Sequence, residues 1–256
     1  HCARCIDGSG MVFPSDVTDD RIEAHIHSLR EDGGSARTAN AALAAFKSFC
    51  AWMKKRGRMS ENPASRVGKL NERADRRLVR RALTLEEVRG LLQAAEAGGT
   101  HHGLSGHERA LVYRVALETG LRYGEIHKLR RADFDLSTRP ASLHIRAEDE
   151  KAGRGDFLPL RPDLAQDLAD HFRAGPLPLP GAKAFPNMWR KRGARMLRKD
   201  LDEAGVYWGK DEAGTIIDFH SLRHTYGTLL AASGVHPKTC QDLMRHSGIE
   251  TTMQQI

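Results

Sequence analysis

The spacing of apolar residues along the chain predicts a mostly helical protein. Apolar side chains recur at helical spacing within 17–30, where Ile22 and Ile26 share a face, and again within 35–56. A hydroxyl residue near the start of each segment can cap its helix, and glycine or proline residues follow each segment. We therefore interpret residues 1–65 as a small, all-helical domain.

A second and larger helical region begins at Thr84, which forms a capping box with Glu87. Further helical patterns cover 108–118, 121–129, 187–204 and 237–244. Three short apolar runs predict strands at 133–136, 142–145 and 156–160, and glycines within 207–217 indicate a hairpin or loop. We interpret residues 82–256 as one domain, mostly helical with a few strands.

The segment 219–230 combines an apolar stripe with basic side chains. Leu222 and Tyr226 lie at helical spacing, whereas His220 and Arg223 are three residues apart and share another face. A guanidinium beside an imidazole suits a phosphate group, because both can donate hydrogen bonds to its oxygens. A surface helix with ordinary basic residues explains this segment equally well, so the pattern alone leaves both interpretations open.

Composition narrows the class of protein. The chain has 256 residues, of which 40% are hydrophobic and 29% charged, as expected for a soluble globular protein of about two domains. Its net charge of +7 favours an anionic partner. No apolar run reaches membrane-spanning length and no signal peptide is visible, so we expect no membrane partner. Four cysteines do not indicate a disulfide scaffold, and we expect an intracellular setting.

Most of the net positive charge is concentrated in residues 66–81, which carry +5 of the chain's +7. This stretch has two acidic residues, few apolar residues, and seven basic residues: Arg66, Lys69, Arg73, Arg76, Arg77, Arg80 and Arg81. A solvated linker is the simpler interpretation, but concentrated charge between two domains favours a linker that contacts nucleic acid. The segment 187–204 adds a second basic surface, on which we expect Arg190, Lys191 and Arg195 to contact the same partner.

The cysteines give little support for a metal site. Cys2 and Cys5 form a CxxC pair, but a structural zinc site needs four ligands and no second pair follows nearby. We expect free thiols and no bound metal.

Four motifs in the second domain occur in a characteristic order. They are TGLRYGEI at 119–126, Lys151 before the last predicted strand, HSLRHT at 220–225 and HSGIETT at 246–252. Together they resemble the tyrosine recombinase (phage integrase) family. The resemblance covers the whole second domain, and the helical first domain and basic linker are similar to the core-binding region of that family.

The resemblance implies a helical catalytic domain with a small antiparallel sheet, joined to a helical core-binding domain. It implies an enzyme that breaks and rejoins DNA strands through a 3′-phosphotyrosine intermediate, with no cofactor and no metal. The two domains would clamp double-stranded DNA at a recombination site, and four copies would act on two sites. We accordingly expect a cytoplasmic, nucleoid-associated protein.

Metal-free phosphoryl transfer requires fixed cations near the phosphate oxygens. By the resemblance, Arg122 and Arg223 would bind the non-bridging oxygens, and His246 would donate a further hydrogen bond. Lys151 would protonate the leaving oxygen as a general acid. His220 would serve as a general base or as an orienting donor.

Two positions support or qualify these roles. Glu125 lies one turn after Arg122 and is expected to orient it. Arg245 occupies a position where the family usually has a small residue.

The largest departure from the family is at the nucleophile. The family pattern places its tyrosine nine residues after His246, and that position is Gln255 in this chain. Because an amide is not a useful nucleophile at phosphorus, we expect the chain to bind DNA without cleaving it. An engineered substitution, a naturally inactive relative and residues missing before the end all remain open.

Two classes of function remain. The first is a recombinase or integrase without its nucleophile, and the second is a non-catalytic DNA-binding regulator. A type IB topoisomerase would share the chemistry, but the compact first domain favours a recombinase.

Overall fold

The computed structural model describes residues 8–149, 153–175, 179, 181–186 and 192–255. The chain divides into two compact units, the first ending at Arg77 and the second beginning at Leu78. Among the residues described, no helix has both the length and the apolar character that a membrane crossing demands.

The first unit is built on two helices, α1 (Asp19–Glu31) and α2 (Ala36–Lys55). The hydroxyl of the residue preceding each helix accepts a hydrogen bond from a backbone N–H of its first turn. Ile22 on α1 and Leu43 and Phe46 on α2 are fully buried in the core of this unit. The predicted helices, their caps and their apolar faces are therefore confirmed.

The first part of the basic stretch is fastened to α2. The Asn40 side chain donates to the carbonyl of Leu70 and accepts from its N–H, both at 2.9 Å. Asp75 accepts from the Ala36 N–H at 2.6 Å and from Arg77 Nε at 2.9 Å. The bond from Ala36, followed by that from Arg77, lowers the pKa of Asp75 to about 2. Residues up to Arg77 thus belong to the first unit.

The last part of the basic stretch belongs to the second unit. Strand β1 (Val79–Arg80) pairs in parallel with a distant short strand, Thr215–Ile216. Arg81 continues this pairing, since its N–H donates to the carbonyl of Ile216 at 3.2 Å. Residues 66–81, which were predicted to form one linker, are thus divided between the two units, with the boundary between Arg77 and Leu78. The segment 207–217, predicted as a hairpin or loop, likewise supplies a strand to a distant partner.

The second unit contains eight described helices around one core. They are α3 (Leu85–Ala97), α4 (Gly106–Thr119), α5 (Tyr123–Ile126), α6 (Pro162–Ala174), α7 (Gly193–Glu203), α8 (Phe219–Ala232), α9 (Pro237–Leu243) and α10 (Ile249–Met253). Helix α4 is buried on nearly every face and packs against α3, α6 and α8. The predicted capping box at Thr84 is present at the start of α3.

A small antiparallel sheet packs against these helices. Strands β2 (Phe134–Asp135), β3 (Ser142–Ile145) and β4 (Asp156–Pro159) lie in that order, and Thr215–Ile216 is β5. Leu143 and Leu158 are opposite each other in the ladder and are buried. The three predicted strands are confirmed, with ends one or two residues shorter in two cases.

Two predicted helices are shorter than the pattern indicates. The helix expected over 121–129 covers Tyr123–Ile126. After it, the N–H groups of Lys128 and Leu129 donate to carbonyls three residues back, and the Leu129 carbonyl accepts from the distant N–H of Ala184. The helix expected over 187–204 is helical from Gly193 to Glu203, and residues 187–191 lie outside the described part of the chain.

A fully buried ion pair joins α4 to α7. Arg109 donates to both carboxylate oxygens of Asp200, at 2.9 and 3.0 Å, and neither side chain is exposed. The Tyr113 hydroxyl donates to the same carboxylate at 2.6 Å. Burial, with the charge of Asp200 adding to it, raises the pKa of Tyr113 well above its usual value, so the phenol stays protonated as a donor.

Replacing Tyr113 with Phe should lower the free energy of unfolding by about 2 kcal/mol. The ring is retained, but the buried carboxylate of Asp200 loses a donor, and hydrogen bonds to charged groups contribute more than neutral ones. Urea unfolding followed by circular dichroism measures the change. Tyr207→Phe is the matched control, because that hydroxyl is exposed and makes only a 3.4 Å contact with the Lys210 carbonyl. Equal effects of the two substitutions would contradict the prediction.

Candidate functional site

The site begins at the turn that follows α4. Gly120 has a φ of +64° there, in the left-handed region that glycine adopts without strain. A Cβ at this position would lie 2.5 Å from the Tyr226 ring, so a larger residue would not fit. The Gly120 carbonyl accepts a hydrogen bond from the Arg223 guanidinium. The turn thus brings the segment that carries Arg122 beside α8.

Arg122 lies directly before α5 and is held by Glu125. One carboxylate oxygen of Glu125 accepts from the Arg122 N–H at 2.8 Å, and the other contacts the guanidinium at 3.0 Å. Burial opposes ionisation of Glu125, but Arg245 and the Arg122 N–H outweigh it and hold the pKa of Glu125 below its usual value. This carboxylate offsets the unfavourable position of a cation at a helix start, and Arg122 remains about one-third exposed.

Arg223 is the buried cation of the site. It is one turn inside α8, 1% exposed, and its guanidinium donates to the carbonyls of Gly120 and Met244. Burial lowers the pKa of Arg223 to about 9, and the charges of Arg122 and Arg245 act in the same direction. The side chain is still charged at neutral pH.

His220 and His246 face this positive charge. Burial, followed by Arg80 and Arg223, lowers the pKa of His220 to about 4. Burial, followed by Arg223 and Arg122, lowers the pKa of His246 to the same value. Both rings are therefore neutral at pH 7 in the absence of an anion, and an anion among these cations would raise both pKa values.

A hydrogen bond to a nearby residue holds each histidine in position. The His220 N–H donates to Asp218, the capping residue of α8, at 2.9 Å. Arg80 in turn contacts the Asp218 carboxylate at 2.8 Å. The Nδ1 atom of His246 lies 2.9 Å from the Thr252 hydroxyl on α10. Residues from four separate segments of the second unit thus form one cationic cluster.

The two remaining predicted catalytic positions are Lys151 and Gln255. Lys151 lies between β3 and β4, outside the described residues. Gln255 follows α10, and its N–H donates to the Thr252 carbonyl at 2.9 Å. The Gln255 carbonyl accepts from the Thr228 hydroxyl of α8 at 3.3 Å.

The predicted DNA-contacting residues fall into different groups. Four pair with carboxylates: Arg66 with Glu61, Arg77 with Asp75, Arg80 with Asp218, and Arg81 with Glu87. Three others are exposed and have no carboxylate within 4.0 Å in the described ranges: Lys69, Arg73 and Arg76. Arg195 is exposed on α7, whereas Arg190 and Lys191 lie outside the described residues.

Sequence reasoning missed the supporting contacts of this site. The predicted DNA contact of Arg80 stays a prediction, but its pairing with the cap of α8 was not anticipated. Sequence reasoning treated Arg245 only as a departure from the family, whereas the structure pairs it with Glu125 at 2.7 Å. The sequence did offer one signal of this pairing, because Arg245 stands where the family usually has a small residue. No group of three or more histidine, cysteine or acidic residues is arranged for a metal ion in the part of the chain that the structure describes.

The fold and the site define the class of protein. A mostly helical domain in which two arginines and two histidines surround one position is suited to binding a phosphoryl group. The sequence pattern of the phage integrase family matches residues 81–255, which include Arg122, His220, Arg223 and His246. The chain belongs to the phage integrase family of tyrosine recombinases.

Relatives of known function are similar over most of the chain. The tyrosine recombinase XerC of Neisseria gonorrhoeae is 25% identical over 247 residues, which cover 96% of this chain and 76% of that protein. XerC of Chlamydia trachomatis serovar L2 is 28% identical over 236 residues, which cover 92% of this chain and 71% of that protein.

Solved structures share the fold at lower sequence identity. The Tn1549 transposon integrase in complex with a circular intermediate DNA has a TM-score of 0.73 at 18% identity, and the match covers 99% of this chain and 87% of that one. A lambda integrase dimer bound to a COC′ core site has a TM-score of 0.71 at 17% identity, with coverage of 99% and 69%.

Proposed function

We propose that this chain is a site-specific DNA recombinase or integrase whose nucleophilic position is occupied by Gln255. The observation that carries this proposal is the convergence of Arg122 and Arg223 with two neutral histidines. Phosphoryl transfer spreads negative charge over the non-bridging oxygens, and preorganised donors at those oxygens supply much of the catalysis. The reaction would pass through a 3′-phosphotyrosine intermediate in a chain that has the tyrosine.

The two arginines have different roles in this proposal. Arg122 is partly exposed and oriented by Glu125, so it is the cation that reaches an incoming phosphate. Arg223 is buried on two carbonyls and contributes a fixed charge next to it. Because both are fixed before DNA arrives, little reorganisation is needed in the transition state.

Protonation of the histidines decides what they can donate. When the Thr252 hydroxyl donates to Nδ1 of His246, the Nε2 atom carries the proton and can donate to a phosphoryl oxygen. His220 would act as a base or as an orienting donor, and Lys151 would protonate the leaving oxygen. No step in this scheme requires a metal or a nucleotide.

Gln255 supports a second candidate function. An amide cannot replace a phenol as nucleophile, so this chain would be deficient in cleavage. A regulator that binds DNA without cutting it needs the cationic cluster but not the tyrosine. The presence of Gln255 at the nucleophilic position is the specific observation that favours the regulator as a second candidate.

We also propose the assembly and the partner. The first unit would act as the core-binding domain, and double-stranded DNA with a recombination site would be the substrate. The lambda integrase structures, a dimer on a core site and a tetramer on a Holliday junction, support action by a tetramer on two sites. Such a protein would work in the cytoplasm on nucleoid DNA.

Replacing Lys69, Arg73 and Arg76 together with Ala should weaken DNA binding and flatten its salt dependence. Each phosphate contact changes the slope of log K against log salt by about 0.9, so three lost contacts reduce it by about 2 to 3. Fluorescence anisotropy with a random-sequence duplex over a series of salt concentrations measures the slope.

The control for this experiment removes the same charge elsewhere. Arg89, Arg173 and Lys238 are also exposed, and their joint replacement by Ala should leave the slope near that of the unchanged chain. Equal slopes for the two triple variants would show that net charge, rather than this surface, binds DNA. An affinity that does not respond to salt would contradict DNA binding through phosphate contacts.

A further inference from the structure

The turn that leads into His246 has an unusual residue at its strained position. Helix α9 ends with two hydrogen bonds, from the Arg245 N–H to the Asp242 carbonyl at 2.9 Å and from the His246 N–H to the Gln241 carbonyl at 3.0 Å. This helix-ending motif requires a left-handed residue, and Arg245 has a φ of +53°. Glycine is the usual residue there, because a Cβ crowds the neighbouring carbonyl in this conformation.

The Arg245 side chain adds a second unfavourable feature. It is 2% exposed, and its guanidinium lies 2.7 Å from Glu125, which is 6% exposed. Removing a cation from water costs free energy that a paired carboxylate offsets. Glycine at this position would avoid both the strained backbone and the buried charge, so the arginine needs a reason in this site.

The contacts of the turn supply that reason. The Met244 carbonyl accepts from Arg223, and Arg245 binds the same carboxylate that orients Arg122. The next residue is His246. Of these three consecutive residues, Met244 contacts Arg223, Arg245 contacts Glu125, and His246 is itself part of the phosphate site.

We propose that Arg245 is a positioning residue, which ties the turn carrying His246 to Arg122 through their shared carboxylate, Glu125. Arg245 does not need to touch the phosphate in this role. It holds Glu125 from one side while Arg122 is held from the other, so the cation and the imidazole keep one relative position. This inference rests on the phosphate site of the proposed function.

The test uses inorganic phosphate as the probe and the full chain as the protein. Ring signals of His220 and His246, assigned with the His220→Gln and His246→Gln variants, report phosphate binding at pH 7 by NMR. Arg245→Gly keeps the turn and removes the guanidinium, and Arg245→Asn does so with a second residue tolerated in this conformation. Both should weaken phosphate binding by about tenfold, whereas Arg245→Lys should stay within about threefold of the unchanged chain.

His102→Gly is the matched control. His102 has a φ of +54° and belongs to the same unit, so its replacement relieves a similar backbone conformation at a residue that makes none of the site contacts described above. It should leave phosphate affinity unchanged. If phosphate affinity falls in Arg245→Gly but not in His102→Gly, the loss is due to the missing guanidinium rather than to the relieved backbone conformation.

A double-mutant cycle tests the route through Glu125. In a chain with Glu125→Gln, the further change Arg245→Gly should have little additional effect on phosphate binding. Additive losses would overturn the proposal, as would phosphate affinity within twofold of the unchanged chain in both Arg245→Gly and Arg245→Asn.

Failure of the proposed function gives a different result. If phosphate does not move the His220 and His246 signals of the unchanged chain, the phosphate site itself is wrong and the positioning role falls with it. If the unchanged chain binds phosphate and the Arg245 variants bind it equally well, only the positioning role is wrong.

Discussion

A chain with Gln255→Tyr is expected to become covalently attached to DNA, whereas the unchanged chain forms no adduct. The family pattern places the nucleophile at this position, and the backbone of Gln255 is already held against α8 and α10. In the proposed site, a phenol there would attack a phosphate bound by Arg122 and Arg223, and these cations would favour its ionised form. The adduct is a 3′-phosphotyrosine, since the phenol oxygen attacks phosphorus and the 5′ oxygen leaves with a proton.

A denaturing gel detects this adduct. The substrate is a labelled pool of random-sequence duplexes, nicked so that the short strand released by cleavage diffuses away and cannot rejoin. Gln255→Phe is the matched control, because it supplies the ring without the hydroxyl and should give no adduct.

Other outcomes of this experiment decide between the candidate functions. A tyrosine variant that binds DNA but forms no adduct would favour the non-catalytic regulator. An adduct with the unchanged chain would show that a different residue is the nucleophile.

Removing either arginine from the cleaving chain is expected to lower the cleavage rate by about 10²- to 10³-fold. In the proposed mechanism each guanidinium would stabilise charge that develops in the transition state, and the loss of one such donor has effects of this size. DNA affinity should change far less, because binding is distributed over many phosphates. Single-turnover cleavage by Gln255→Tyr/Arg122→Ala and Gln255→Tyr/Arg223→Ala measures the effect.

The two variants should differ in stability. Arg223→Ala leaves the carbonyls of Gly120 and Met244 without their buried donor, so it should also lower the free energy of unfolding by about 1–3 kcal/mol. Arg122 is partly exposed, and Arg122→Ala should affect stability less.

Two controls keep this experiment interpretable. Thermal unfolding shows whether Arg223→Ala is still folded at the temperature of the assay, and Arg89→Ala removes an exposed charge from the same unit. Normal cleavage by both arginine variants would contradict the assignment of the site.

Local pattern was sufficient for most elements of the fold. Helices α1, α2 and α3 could be predicted because apolar spacing and a capping residue act over a few neighbouring positions. The strands of the antiparallel sheet were predicted for the same reason, since β2, β3 and β4 are neighbours in sequence. The order of the four motifs indicated the family, which the match over residues 81–255 shows.

The ends of elements depended on distant partners. The helix that begins at Tyr123 ends at Ile126, and the chain then pairs with a segment more than fifty residues away, through the Leu129 carbonyl and the bridge between Arg130 and Lys183. No pattern within 121–129 contains that partner, so the longer helix was the natural prediction.

Residues 66–81 show most clearly what could not be predicted from the sequence. Its charge was readable from the sequence, but β1 forms only because β5 lies beside it, and 135 positions separate Arg80 from Thr215. Asp218, the carboxylate that engages Arg80, is likewise 138 positions away, whereas the partners of Arg77 and Arg81 are two and six positions away. Composition therefore predicted an anionic partner, whereas only the folded chain separates the exposed cations from those with structural pairs.

The sequence by itself determined most of the helices, the antiparallel sheet, the family and the candidate residues of the site. Helical and strand patterns arise from local periodicity, and motifs are read directly from residue types. The tertiary structure decided the environment of those residues. Burial and converging charge lower the pKa values of His220 and His246, and the shared contact with Glu125 joins Arg122 to Arg245. These properties depend on distances between segments far apart in sequence, which only the folded chain brings together.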